Sequence, residues 1–204
     1  MRMPDGQEHI PTDRYVIMAG TVRLFISAEA AVTDDVREAM SELGRMRNIR
    51  PSPENQIHIT LSFLGDTDES RIPRLVGTLR DALKGIGGFG VSMKGLGAFP
   101  NTKRPRVIWI GLDDGRDALA LLAERVRGAV DSAGLHQDGK PFSPHVTIAR
   151  VQGPADVSDI AERYRGEVFA EYRIESVRLM GSVLGPSGAK HRVIETFVLD
   201  NDGA

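Results

Sequence analysis

The sequence predicts an α+β fold built from a repeated unit, and three observations carry that prediction. Segments with period-two hydrophobic alternation and segments with helical periodicity follow one another along the chain. The succession falls into two comparable halves, and each half holds one strand that begins with the same word. The words are His58-Ile59-Thr60-Leu61 and His145-Val146-Thr147-Ile148.

The elements follow in order. Val22-Arg23-Leu24-Phe25-Ile26 alternates and predicts the first strand. Thr33 stands as N-cap of a helix, Asp34 and Asp35 meet its positive end, and Val36, Met40 and Leu43 form its buried stripe. After Pro51 and Pro53, Ile57 to Leu64 predicts a strand closed by Gly65-Asp66. A second helix is expected from Asp68 to Leu83, with Ile72, Leu75, Val76 and Leu79 inward. Strands are expected at Phe89 to Leu96 and Arg106 to Leu112, separated by a loop with Pro100 and Pro105.

The second half repeats the rhythm. Leu119, Leu122, Val126 and Ala129 mark a helix that ends near Gly134, and Gly139 to Pro144 is a turn-rich approach to the strand that begins at His145. A short helix spans Val157 to Tyr164. Ala170 to Leu184 and His191 to Leu199, rich in Val, Ile, Phe and Tyr, are expected to pair as a hairpin. Residues 1–20 mix Pro4, Asp5, Gly6, Glu8 and Asp13 without an apolar core and are expected to be a flexible leader, with residues 21–204 as one domain.

Composition narrows the chemistry. At 204 residues, 41% hydrophobic and 26% charged, the chain can bury a full core. It has no cysteine, which removes disulfides, thiolate nucleophiles, iron-sulfur clusters and cysteine zinc sites. No apolar run approaches the roughly 18 residues that span a bilayer, so a cytoplasmic protein that makes no use of a membrane is expected. A net charge of -2 argues against coating long nucleic acid but not against binding a terminal phosphate. Basic residues do cluster at Arg45, Arg47 and Arg50, at Lys103, Arg104 and Arg106, and at Lys190, His191 and Arg192, where solvated loop charge is the plainer explanation.

Alternation along the first word puts His58, Thr60 and Ser62 on one face and Ile57, Ile59, Leu61 and Phe63 on the other. In the second, His145 and Thr147 share a face opposite Val146 and Ile148, and Pro144 restrains the backbone just before His145. A lone histidine on a strand is most simply structural; two in matching contexts point to shared acid-base work. One neutral imidazole can take a proton from a nucleophile while a charged one gives a proton to a leaving oxygen. The two threonine hydroxyls can donate to the non-bridging oxygens of a phosphate held between them. Residue chemistry alone leaves acid and base interchangeable. Zinc would need three or four ligands, but His9 falls in the leader, His136 in a turn and His191 beside Lys190 and Arg192, so neither metal nor other cofactor is expected. Arg150 has two readings. Strict alternation turns it away from His145 toward a structural ion pair, whereas a bulge near Ala149 would bring it to the phosphate. Phe63 reads as core, and Phe99 with Pro100 could bound a base.

At these residues the chain resembles the two-histidine phosphoesterase superfamily, and within it the RNA 2',3'-cyclic phosphodiesterases once called 2'-5' RNA ligases. The resemblance runs from Arg23 to Leu199. It is carried by Arg23-Leu24-Phe25, His58 to Gly65, Pro105-Arg106-Val107-Ile108-Trp109, Phe142 to Arg150, and Ser182-Val183-Leu184. It implies a bilobal α+β fold in which two antiparallel sheets face a central cleft, each lobe giving one motif. It implies metal-independent hydrolysis of a terminal 2',3'-cyclic phosphate to a 2'-phosphate, on RNA ends or small cyclic nucleotides; a monomer is expected. His58 would protonate the leaving 3'-oxygen, His145 would activate water, and Thr60 and Thr147 would grip the phosphate. The chain departs from the family after Gly188, where members often carry a tyrosine and Ala189-Lys190-His191 stands here. Joining of RNA ends through a 2'-5' bond at the same site, or nucleotide binding without turnover, are the alternatives.

Overall fold

The computed structural model describes residues 20–185 and 188–200, so the expected leader lies, up to residue 19, outside the described residues. Nine strands and four helices follow in the order β1 (Thr21–Glu29), α1 (Asp34–Gly44), β2 (Ile49–Pro51), β3 (His58–Asp68), α2 (Ile72–Leu83), β4 (Phe89–Phe99), β5 (Val107–Leu112), α3 (Arg116–Ser132), β6 (His145–Val151), α4 (Ser158–Arg163), β7 (Val168–Ile174), β8 (Ser176–Gly185) and β9 (Gly188–Val198).

The strands join into one sheet in the order β7-β4-β5-β6-β3-β1-β8-β9, with β2 added to β6. The named strand pairings are antiparallel. The two motif strands are central, and they meet through a single register pair, Ile59 with Val146. β1, β3, β8 and β9 lie on one side of that seam, and β2 with β4 to β7 lies on the other.

Helices and strands are exchanged across the seam. α1 follows β1 in the chain but packs on β2, β6 and β7, whereas α3 follows β5 and packs on α2 and β3. The Thr33 side chain shows how α1 is held: its hydroxyl accepts from the Val36 amide as an N-cap and donates to the Phe169 carbonyl of β7 at 2.7 Å. Glu42, further along α1, meets Arg163 at 2.5 Å and the Tyr164 hydroxyl at 3.0 Å. Leu24, Ile26, Ile59, Leu75, Leu79, Ile108, Ile110, Leu119, Val126 and Ile148 fill the space between sheet and helices.

Four expectations change. The two antiparallel sheets expected to face a cleft are one nine-stranded sheet, because the Ile59–Val146 pair joins β3 to β6. The segment Ala170 to Leu184 is two strands, because the chain leaves β7 beside β4 and re-enters the sheet as β8 beside β1; β8, not the whole segment, forms the hairpin with β9. Helix α2 starts at Ile72, after a turn of 3-10 helix at Glu69–Arg71, with Pro73 in its first turn where a missing amide costs nothing. The short strand β2 was hidden by its own Pro51, which is tolerated because β6 is its only named sheet partner.

Candidate active site

The pairing of Ile59 with Val146 determines how the motifs face each other. It lies between His58 and Thr60 on one strand and between His145 and Thr147 on the other, so the two motifs flank one contact. Ile59 and Val146 are fully buried, while His58, Thr60, His145 and Thr147 are partly exposed on the opposite face. Neither threonine hydroxyl has a protein hydrogen-bond partner among the described residues.

The two imidazoles are oriented in the same way. His58 Nδ1 lies 2.7 Å from the Gln56 carbonyl, and His145 Nδ1 lies 2.7 Å from the Ser143 carbonyl. A carbonyl only accepts, so Nδ1 carries the proton in both rings and Nε2 is the nitrogen left for chemistry.

A bulge after each motif then reverses the side-chain parity. Ser27 pairs with Thr60 and Ile26 with Ser62, which skips Leu61; Trp109 pairs with Thr147 and Ile108 with Ala149, which skips Ile148. The skipped residue occupies the same place in both words, so Phe63 and Arg150, each five residues after its histidine, come round to the histidine face. The cleft reading of Arg150 is therefore the one the register supports. Arg150 makes no salt bridge among the described residues. Its charge is felt at both His58 and His191. Phe63 is corrected from core to surface: it is 45% exposed, because the extra residue at Leu61 breaks the alternation that assigned it to the interior.

Aromatic rings back each imidazole. Phe25, buried in β1, stacks on His58 with ring centres 4.9 Å apart and lies 6.1 Å from Phe63. His191 of β9 meets Phe25 edge-on at 4.9 Å and His58 edge-on at 5.7 Å. On the other side of the seam, Phe99 meets His145 edge-on at 5.1 Å and Trp109 at 5.2 Å. Phe99 closes β4 rather than sitting in a loop, and Pro100 follows it through a cis peptide bond. Phe25 and Trp109 as neighbours of the histidines were not evident from spacing, since their partners depend on strand order.

Burial is the largest influence on His58 and pushes its pKa down to about 4, reinforced by the positive charge of His191, His145 and Arg150 and opposed by its bond to Gln56. His191 is lowered by burial and then by Arg150, and its Nδ1 is buried without a hydrogen-bond partner. Among the described residues no group of three or more His, Asp or Glu is placed to hold a metal ion, and no helix is long and apolar enough to cross a membrane.

A curled antiparallel sheet that presents two oriented imidazoles and two free hydroxyls on one face is the arrangement of a two-histidine phosphoesterase. The family model of the 2'-5' RNA ligase superfamily matches residues 29–185, and the chain belongs to that family. A curated RNA 2',3'-cyclic phosphodiesterase of Archaeoglobus fulgidus is 31% identical over 179 residues, covering 86% of this chain and 99% of its own. One of Aquifex aeolicus is 35% identical over 150 residues, covering 72% and 79%. Among solved structures, TT0787 of Thermus thermophilus superposes with a TM-score of 0.75 at 28% identity over 89% of this chain and all of that one. E. coli LigT complexed with 3'-AMP shares the fold, with a TM-score of 0.70 at 21% identity over 88% and 98%.

Proposed function

We infer that this chain is an RNA 2',3'-cyclic phosphodiesterase that opens a terminal cyclic phosphate to a 2'-phosphate. The observation that carries the reading is the matched pair of imidazoles, each with Nδ1–H tied to the carbonyl two residues before it and Nε2 left free. Family members of this name support it over most of the chain.

In the reaction His145 Nε2 takes a proton from water, the water oxygen attacks phosphorus, the P–O3' bond breaks, and His58 Nε2–H gives its proton to O3'. Thr60 and Thr147 donate to the non-bridging oxygens, and Arg150 balances the phosphate charge. The depressed pKa of His58 suits an acid only once it is protonated. The anionic phosphate supplies that condition, because it enters a site already crowded with positive charge and favours the charged ring. A ring whose pKa is otherwise low then releases its proton readily to the leaving oxygen.

The single-pair seam at Ile59 and Val146 supports treating residues 21–204 as one domain of two lobes, one per motif. The enzyme acts as a cytoplasmic monomer without a metal. The test is hydrolysis of a defined oligoribonucleotide ending in 2',3'-cyclic phosphate, in EDTA, with the product phosphate located. His58→Ala and His145→Ala are each expected to abolish formation of the 2'-phosphate; appreciable turnover by either variant, or a 3'-phosphate product, overturns the reading.

A further inference from the structure

We propose that Arg50, set opposite Arg150 on the neighbouring strand, marks a second phosphate site that holds the backbone phosphodiester on the 5' side of the terminal nucleotide, with Arg150 standing between that phosphate and the scissile one. This rests on the RNA reading above and extends it from the chain end to the strand behind it.

The argument begins with register. β2 contains three residues, and its central Arg50 pairs directly with Arg150 of β6. Residues directly opposite in an antiparallel pair share a face, so the two arginine side chains leave the sheet on the same side. Like charges in that position repel, and side chains usually relieve the conflict with a carboxylate. Neither arginine forms a salt bridge among the described residues, and both are exposed. On the other flank of Arg150 the register partner is Val107, which offers no charge.

Two adjacent guanidinium forks without a carboxylate match the oxygens of a phosphodiester, which each can grip with paired N–H donors. The bulge at Ile148 puts Arg150 on the catalytic face, where its charge reaches His58 and His191, and the pairing carries Arg50 onto that face too. The scissile phosphate is already provided for by two histidines, two threonines and the charge of Arg150, so Arg50 is surplus to a mononucleotide. The ligand is therefore an RNA strand of two or more nucleotides, not a free cyclic mononucleotide.

The test measures binding, so it does not depend on turnover. A fluorescein-labelled oligoribonucleotide ending in 2'-phosphate and the matching mononucleotide 2'-phosphate are titrated into wild-type protein, Arg50→Gln and Arg50→Lys. Arg50→Gln is expected to weaken the oligonucleotide about tenfold more than the mononucleotide, the worth of one charged hydrogen bond. It should also lower the slope of log affinity against log salt for the oligonucleotide by about 0.7, one single-strand phosphate contact. Arg50→Lys should keep that slope. An equal loss for both ligands, or no loss for the oligonucleotide, overturns the proposal. Failure of the wild-type protein to hydrolyse a cyclic phosphate end would instead overturn the phosphodiesterase reading and leave the binding comparison standing.

Discussion

Ile59 of β3 pairs with Val146 of β6, and neither side chain has any exposure to solvent. Their burial orients the neighbours on both strands: with Ile59 and Val146 inward, His58, Thr60, His145 and Thr147 must face the other way. The seam of the sheet and the frame of the site are one contact.

Truncating that contact should therefore disturb stability and activity together. Ile59→Ala is expected to cost about 2–5 kcal/mol, the range for an aliphatic side chain cut back in a packed core. Urea unfolding measures it. Turnover at saturating substrate should fall as well, because the spacing of the two histidines rests on this pair; a full stability loss with unchanged turnover would separate seam from site.

The threonines should act mainly on the chemical step. Thr60→Val and Thr147→Val keep the shape and remove one hydroxyl donor each, and the loss of one such donor costs roughly 100-fold or more in kcat. Steady-state kinetics on a cyclic-phosphate oligonucleotide check this. A change confined to KM would mean that the hydroxyl holds substrate and transition state equally.

Burial of His58 should make the protein less stable in mild acid. Its pKa is about 4 in the folded chain against 6.5 when unfolded, so the unfolded state binds the proton first. Stability due to this group is complete above about pH 6.5 and is lost as the pH falls toward 4, by up to about 3 kcal/mol. Unfolding free energies at several pH values between 4 and 7, in wild type and His58→Gln, should show a shallower slope in the variant. Some slope remains, because the pKa of His191 is lowered too.

The sequence carried the motifs, the α1 cap and most element positions because those signals are local. Thr33 and its acidic first turn are read from four consecutive residues, and the structure has the cap bond. What was not legible depended on partners distant in the chain. Leu61 and Ile148 look like ordinary members of apolar alternation, yet each is skipped by its neighbouring strand, and that shift turns Phe63 and Arg150 toward the histidines. Arg50 read as loop charge because its meaning lies in a partner 100 positions away in the chain. The single sheet was equally hidden, since one register pair makes the connection.

Gly97 should prove irreplaceable for a reason that lies across the strand. It pairs with Trp109, and a Cβ built at Gly97 would come within 2.3 Å of the indole ring. The ring cannot simply turn aside, because Phe99 packs against it and His145 stands near it. Gly97→Ala is expected to cost about 1–3 kcal/mol, as overpacking does. Trp109 is the chain's one tryptophan, so intrinsic fluorescence reports the displacement directly. A red shift is expected as the indole lifts from its half-buried position toward water. Trp109→Phe, with a smaller ring, should relieve the clash: the double variant should lose less stability than the two single losses added together. Strict additivity would mean that the alanine is absorbed by the backbone and that Trp109 stays where it is.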